Sequence, residues 1–227
     1  MGRRNRSRRQ ANALVVLAAG GAIVGALSGG PWIWLHYLCK PLATLLIGAL
    51  VLRAGRVQSA RYRAAVLAGI AFSLAGDVFL MLPQDLFVPG LVAFLLAHLC
   101  FFAAFFPGAR WTVRLVAIAA YAGVGVANMV PLLPRVPSTL HVPVLAYVLV
   151  LVVMAGLAAA RAWSLRADPG LARPALSGAV GGALFVLSDS LLAWDRFGSG
   201  LPAAALLVLA SYYAALWCIA RSVRTGD

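Results

Sequence analysis

Two aspartates lie inside apolar segments, and they are the residues of this chain best suited to chemistry. Asp77 lies in AFSLAGDVFLML, residues 71–82, and Asp189 lies in GALFVLSDSLLAWDRF, residues 182–197. An aspartate at the centre of a membrane helix costs about 2.5–3.5 kcal/mol on insertion scales, and such residues usually face the bundle interior and mark a functional path. Two carboxylates in one pocket can divide the roles of acid and base. The pair therefore predicts either acid/base catalysis, for example through an oxocarbenium ion, or a proton relay in a transporter.

Two further ionisable side chains, Lys40 and His98, lie in other apolar segments. At a rise of 1.5 Å per residue, Asp77 and Asp189 lie roughly 21 and 24 Å from the nearest preceding arginines, and Lys40 lies roughly 15 Å down its own helix. We expect all four side chains to occupy one band, from mid-membrane outward, around a wet cavity. A structural ion pair between Lys40 and an aspartate is the alternative. The acids Asp85 and Asp195 and the histidines His36 and His141 lie near helix ends and are interpreted as solvated or interfacial residues.

The composition indicates which elements must position these residues. Hydrophobic residues make up 63% of the chain and charged residues 11%, with a mean hydropathy of +0.94. Water-soluble domains are usually about 45–50% apolar. Apolar runs of about 18–25 residues are typical of membrane helices. The chain has eight such runs, near residues 11–29, 31–53, 63–83, 86–107, 111–133, 139–161, 174–194 and 201–221. They predict an all-α polytopic membrane bundle of about eight transmembrane helices.

The same pattern predicts the domain organisation. We expect a basic cytoplasmic N-terminal arm over residues 1–10, a single eight-helix transmembrane domain over residues 11–221, and a short cytoplasmic tail over residues 222–227. The arginines before the first run resemble a signal peptide, but the runs that follow favour an uncleaved first helix. The three cysteines all fall in apolar runs at no metal-ligand spacing, which predicts small buried side chains rather than disulfides.

The arginines predict the orientation. Sixteen of the 19 basic residues lie at one set of helix ends, whereas the opposite ends carry only Arg135 and Arg196. The positive-inside rule then places both termini in the cytoplasm. We expect the basic loops to contact anionic lipid head groups, and we expect no nucleic-acid partner. The many arginines and the alanine-rich helices indicate a high-GC bacterium, and hence a bacterial cytoplasmic (inner) membrane.

The two halves of the chain resemble each other weakly. Gly76–Leu80 in the third run matches Ser188–Leu192 in the seventh, since each has a small residue, an aspartate and a leucine at the same spacing. The two aspartates are 112 residues apart, which is about half the chain. This predicts a parallel four-plus-four duplication.

Several motifs together resemble one family of membrane proteins. They are Lys40-Pro41-Leu42, SLAGDVFLML (73–82), GLVAFLLAHLCFFAAF (90–105) and GALFVLSDSLLAWDRF (182–197), with Tyr147 and Met154 in the sixth run. The chain resembles the YhhN family, whose characterised members are lysoplasmalogenases. The resemblance extends from about residue 31 to residue 220, and the arginine-rich first ten residues lie outside it.

The resemblance implies an eight-helix hydrolase that needs no metal and no cofactor. It would cleave the vinyl ether bond of a lysoplasmalogen, a lysophospholipid-like substrate from the bilayer, to a fatty aldehyde and glycerophosphoethanolamine or glycerophosphocholine. Asp77 and Asp189 would be catalytic, one as general acid and the other stabilising the cation or activating water, and the sequence does not distinguish them. The residues assigned to substrate binding or to tuning of the acids' pKa values are Lys40, His98, Ser188 and Tyr147.

Two alternatives remain at this point. The first is an acid/base hydrolase or isomerase that acts on another amphiphilic lipid with the same carboxylate pair. The second is a non-enzymatic transporter of lipid or solute. Interrupted helices would favour transport, but unbroken apolar residues follow both Asp77 and Asp189. The sequence contains no P-loop, no G-x-S-x-G and no HExxH motif.

Overall fold

Eight long helices form the protein, as the apolar runs predicted. The computed structural model describes residues 2–225, with side chains from residue 9 onward. The helices are α1 (Gly2–Ser28), α2 (Ile33–Leu52), α3 (Ala60–Met81), α4 (Phe87–Phe105), α5 (Trp111–Leu132), α6 (His141–Ser164), α7 (Ala172–Phe197) and α8 (Ala204–Ser222). All eight include a segment that is long and apolar enough to cross a membrane. The prediction of an all-α membrane bundle of about eight helices is therefore confirmed.

The two ends of the chain are described only in part. Helix α1 begins at Gly2, within the predicted basic arm of residues 1–10. Met1 lies outside the described residues, as do the side chains of residues 2–8 and hence four of the arm's five arginines. In the predicted tail of residues 222–227, Gly226 and Asp227 also lie outside them.

A very short connection joins α1 to α2. Gly29 and Gly30 have φ angles of +56° and +46°, which side chains with a Cβ rarely adopt, and a short 3-10 helix follows at Gly30–Trp32. A Cβ at Gly25 would collide with the backbone nitrogen of His36. The two helices can therefore pack backbone to backbone, and this contact fixes the position of α2 beside the site.

The bundle consists of four consecutive antiparallel pairs of helices, α1–α2, α3–α4, α5–α6 and α7–α8. The first half of the chain (α1–α4) contacts the second half (α5–α8) mainly where α4 packs on α6 and where α1 and α2 pack on α8. Large buried side chains fill the centre, including Phe101, Phe105 and Phe185. Exposed leucine, valine and tryptophan side chains cover the outside, as expected for a surface in contact with lipid.

At one end of the bundle, which we call the arginine-rich end, two loops are joined to each other and to the C-terminal segment. The backbone N–H of Gln58 donates to the carbonyl of Val223 at 3.1 Å, and Val57 forms a single β-bridge with Arg224. The buried Arg161 guanidinium donates to the carbonyl of Pro107 at 2.8 Å and to the side-chain oxygen of Gln58. These bonds tie the α2–α3 and α4–α5 loops together at this end.

The opposite end is held by different contacts. The guanidinium of Arg196 donates to both carboxylate oxygens of Asp85 at 2.8 and 2.7 Å. The rings of Phe87 and Phe197 pack edge to face beside this pair. The polar cavity described below lies at this end of the bundle, away from most of the arginines.

Candidate active site

Asp77 is buried where three helices meet. It lies near the end of α3, with 1% of its surface exposed. Its Oδ2 atom accepts hydrogen bonds from the hydroxyl of Thr44 on α2 at 2.6 Å and from the hydroxyl of Tyr212 on α8 at 2.7 Å. Sequence reasoning missed both donors. Thr44 follows Lys40 by four residues, so the helical spacing places it on the same face of α2 and could have indicated it. Tyr212 lies near the other end of the chain, and nothing in the sequence relates it to Asp77.

Asp189 has a different pair of neighbours. Its Oδ2 atom accepts a hydrogen bond from the hydroxyl of Tyr147 on α6 at 2.7 Å. The Nε2 atom of His98 on α4 lies 3.6 Å from the same oxygen. The structure thus brings together three of the residues singled out from the sequence.

The hydrogen bonding of His98 fixes which ring nitrogen carries a proton. Its Nδ1 atom lies 2.6 Å from the carbonyl oxygen of Phe94. Because a carbonyl can only accept, Nδ1 must be the donor. The buried Nε2 atom has no hydrogen-bond partner among the described residues. It therefore faces Asp189 with its bonding capacity unused.

The neighbours of the two aspartates follow one pattern. Each aspartate lies on the third helix of its half and is contacted from the second helix of the same half, by Thr44 for Asp77 and by Tyr147 for Asp189. Each is also approached from the fourth helix of the other half, by Tyr212 and by His98 respectively. The pattern is what the predicted duplication would produce. The partners differ in chemistry, so the two carboxylates are suited to different tasks.

Both carboxylates line one polar cavity of about 240 Å³. It lies between α1, α2, α3, α4, α7 and α8, at the end of the bundle opposite the arginines. Its polar lining residues are His36, Lys40, Asp77, Ser188, Asp189, Asp195 and Tyr212. Of the four ionisable groups predicted to surround a cavity, Lys40, Asp77 and Asp189 line this one, whereas His98 is buried behind Asp189 and does not. Two further groups that the sequence had placed at the interface or in solvent, His36 and Asp195, line it as well.

A smaller apolar cavity of about 70 Å³ adjoins the polar one. It is lined by residues of α3 to α7, most of them leucine, valine and phenylalanine. The two cavities share Leu80, Phe94, Asp189 and Leu192 as lining residues. Asp189 therefore lies at the junction between a polar and an apolar compartment.

Lys40 and Ser188 also line the polar cavity, in different ways. Lys40 is 7% exposed, and within the part of the chain that the structure describes no carboxylate oxygen lies within 4 Å of its ammonium group. A direct ion pair with Asp77 is thus not present there. The hydroxyl of Ser188 donates to the carbonyl of Val208 on α8 at 3.1 Å, so this residue also helps to hold α7 against α8.

The site is rich in oxygen and nitrogen groups without forming a metal centre. Within residues 9–225, no group of three or more histidine, cysteine, aspartate or glutamate side chains is arranged to hold a metal ion. What the arrangement offers is proton transfer by two carboxylates, each bound by at least one hydroxyl group, at a cavity with both polar and apolar walls.

The chain is similar to several curated proteins. Lysoplasmalogenase TMEM86B of Sus scrofa is 34% identical over 194 residues, which cover 85% of this chain and 76% of that protein. Lysoplasmalogenase TMEM86B of Homo sapiens is 36% identical over 147 residues, or 63% of this chain and 56% of that protein. Lysoplasmalogenase of Mycobacterium tuberculosis (strain CDC 1551 / Oshkosh) is 34% identical over 163 residues, or 68% of this chain and 58% of that protein.

No solved structure matches the chain. The sequence model of the YhhN family matches residues 35–223, a range that contains every side chain lining the site on α2, α3, α4, α6, α7 and α8. With eight helices able to span a membrane, the protein is a multi-pass integral membrane protein. From the extent of that match, we conclude that this chain belongs to the YhhN family.

Proposed function

We propose that this chain is a lysoplasmalogenase, an ether hydrolase that cleaves the vinyl ether bond of a single-chain lipid to a fatty aldehyde and a glycerophospho head group. Relatives whose alignments cover most of this chain have that name. The observation that carries the proposal is the position of Asp189 where the polar and apolar cavities meet. In a lysoplasmalogen the vinyl ether is the point at which the alkyl chain meets the polar glycerol.

This position assigns different roles to the two aspartates. A vinyl ether is hydrolysed by protonation of its β carbon, which is the carbon nearer the alkyl chain. Asp189 is the acidic residue that lines the apolar cavity, among the described residues, and so is the general acid. Asp77 lies on the polar side, and two hydroxyl donors on one of its oxygens suit an ionised carboxylate. It would stabilise the oxocarbenium ion and activate water.

The resulting cycle is balanced in protons. Asp189 gives its proton to the β carbon, and the oxocarbenium ion forms. Water adds to the α carbon and loses a proton to Asp77, which yields a hemiacetal. The hemiacetal hydroxyl then returns a proton to Asp189, Asp77 protonates the ether oxygen, and the carbon–oxygen bond breaks. The products are aldehyde and alcohol, and both carboxyl groups regain their starting states.

The neighbours of Asp189 would position it for this transfer. The Tyr147 hydroxyl donates to Oδ2, and Nε2 of His98 lies 3.6 Å from the same oxygen. His98 and Tyr147 are therefore positioning residues that also influence the protonation of Asp189. Ser188 would have a supporting role, because its hydroxyl holds the adjacent turn of α7 against α8.

The alkyl chain has a route from the bilayer. A groove on the α5–α7 surface shares Val124, Asn128, Val186 and Ser190 with the apolar cavity. Helix α5 packs mainly on α6 and touches α7 little, so the surface between α5 and α7 is weakly closed. The lipid would enter sideways there, with its chain among the apolar side chains of α3 to α7 and its vinyl ether beside Asp189.

An aldehyde-release assay tests the proposal. Purified protein in detergent should release equal amounts of aldehyde and glycerophosphoethanolamine from lysoplasmenylethanolamine, and nothing from its saturated alkyl-ether analogue. In D₂O the aldehyde should carry one deuterium at C2, because the enzyme adds that proton. Absence of aldehyde from folded protein would contradict the proposal, and movement of intact lipid between vesicles would then favour transport.

We further propose that the chain lies in a bacterial cytoplasmic membrane with both termini in the cytoplasm. The arginines at one end support this, because such residues are retained on the cytoplasmic side and attract anionic lipid head groups. The polar cavity would then open away from the cytoplasm.

Cysteine labelling should reveal this orientation. Ser199 in the α7–α8 loop and Ala167 in the α6–α7 loop are both exposed. A membrane-impermeant maleimide should label Ser199→Cys in intact cells and Ala167→Cys only after lysis, with the unaltered chain as the background control. The reverse pattern would place the arginine-rich end outside.

A further inference from the structure

We propose that the polar cavity recognises a zwitterionic phosphodiester head group, with Lys40 on the phosphate and Asp195 on the ammonium group. The inference deepens the proposed function and rests on it, because the catalytic aspartates fix where the vinyl ether lies. Asp195 is the new residue in this assignment, since the sequence placed it in solvent at the end of α7.

Lys40 supplies the first argument. Its side chain is 7% exposed and lines the cavity, yet among the described residues no carboxylate oxygen lies within 4 Å of it. Asp77 interacts with it only at longer range, and a buried cation without a direct ion pair is costly, so an anion entering the cavity would offset that cost. A phosphate diester suits a lysine, which acts as a compact point charge with three donors.

Asp195 supplies the second argument. Its Oδ1 atom accepts a hydrogen bond from the amide of Leu201 at 3.1 Å, which holds the carboxylate at the wall of the cavity. No basic side chain lies within 4 Å of it among the described residues. Asp85 at the same end of the bundle differs, because Arg196 already neutralises it. Asp195 is therefore a free anion at the mouth of the cavity.

The order of the charges along the cavity supplies the third argument. On α2, Thr44 contacts Asp77, and Lys40 lies one turn, or about 6 Å, nearer the mouth. On α7, Asp195 lies six residues, or about 9 Å, nearer the mouth than Asp189. From the catalytic aspartates outward, the sequence of groups is thus cation and then anion. A zwitterionic lysolipid presents its vinyl ether, phosphate and ammonium in the matching order.

Two substrates that differ only in the ammonium group test this assignment. One is lysoplasmenylethanolamine, and the other is the alkenyl glycerophosphate with the same chain and no ethanolamine. Asp195→Asn should raise KM for the zwitterion about tenfold, or about 1.4 kcal/mol, with kcat unaltered, and should leave KM for the phosphate-only substrate where it was. Asp85→Asn removes an acid from the same end but outside the cavity, and should change neither.

A binding measurement separates this inference from the catalytic one. The saturated alkyl-ether analogues of both lipids cannot be cleaved and can be titrated calorimetrically in detergent. Asp195→Asn should weaken only the ethanolamine ligand, whereas Lys40→Met should weaken both. If the two variants show these binding effects but the unaltered protein releases no aldehyde, the head-group site is supported and the proposed lysoplasmalogenase activity is contradicted. Equal effects of Asp195→Asn on both ligands, or none on either, would overturn the head-group site.

Discussion

Asp189→Asn is expected to lower kcat for aldehyde release by about 10²- to 10⁴-fold, the usual contribution of a positioned general acid. Asparagine has nearly the same size and can still accept the hydrogen bond from Tyr147, so the loss should come from the missing proton and not from packing. Binding should change little, because the head-group residues lie elsewhere in the polar cavity. The measurement is aldehyde formation under single-turnover conditions, with lipid affinity determined separately.

The control for this variant is Tyr147→Phe. It removes the hydroxyl that holds Oδ2 and leaves the carboxyl group in place, so its effect should be smaller than that of Asp189→Asn. Asp189→Asn protein that elutes and melts like the unaltered chain, yet keeps kcat within tenfold of it, would show that another group donates the proton. The position of Asp189 between the two cavities would then need a different explanation.

The sequence predicted the fold well because membrane helices leave a strong local signal. Each span needs a long apolar run, and the arginines mark alternate ends, so eight runs could be counted without any knowledge of packing. The observed helices differ from the predicted runs by a few residues at most ends. The largest difference is at α1, which begins at Gly2 where the run was predicted to begin at residue 11. Hydropathy cannot locate that boundary, because an arginine-rich segment is compatible with a helix outside the membrane.

The sequence could predict only those site residues whose type is unusual in a membrane helix. Asp77 and Asp189 stand out because a carboxyl group in an apolar run is costly. Thr44 and Tyr212 do not stand out, since hydroxyl groups are common in membrane helices, and only the packing of α2 and α8 on α3 brings them to Asp77. The sequence did not predict a role for Asp195 because its position is ordinary for an acid. An acid at a helix end is usually just solvated, and only the shape of the polar cavity gives it a role.

A duplication of the two halves, as the sequence predicts, would account for one sequence motif with two proposed roles. Each aspartate is reached from its own half and from the other half, so neither half could complete a site alone. If the two halves exchanged places, the tyrosine would contact Asp189 in place of His98, and the histidine would contact Asp77 in place of Tyr212. The difference between acid and base therefore depends on these two residues of α4 and α8, outside the repeated aspartate motif itself.

Asp77→Asn should lower kcat by about 10²- to 10³-fold, the scale seen when one group that stabilises a developing charge is removed. The proposed roles further predict a difference that rates alone would not reveal. Without Asp77, protonation by Asp189 still occurs but water capture is slow, so the oxocarbenium ion returns its proton to Asp189 and re-forms the vinyl ether. Substrate recovered from D₂O should then carry deuterium at the β carbon.

The same exchange experiment with Asp189→Asn should show no deuterium in recovered substrate, because the first proton transfer is lost. Thr44→Val is the matched variant for Asp77, since it removes one of the two hydroxyl donors and keeps the carboxyl group, and it should cause a smaller loss with little exchange. Exchange in Asp189→Asn and none in Asp77→Asn would reverse the two assignments. The carboxylate on the polar side would then be the acid, and the alkyl chain would have to lie in the cavity that contains Lys40, against its apolar side chains such as Leu80, Val208 and Leu209.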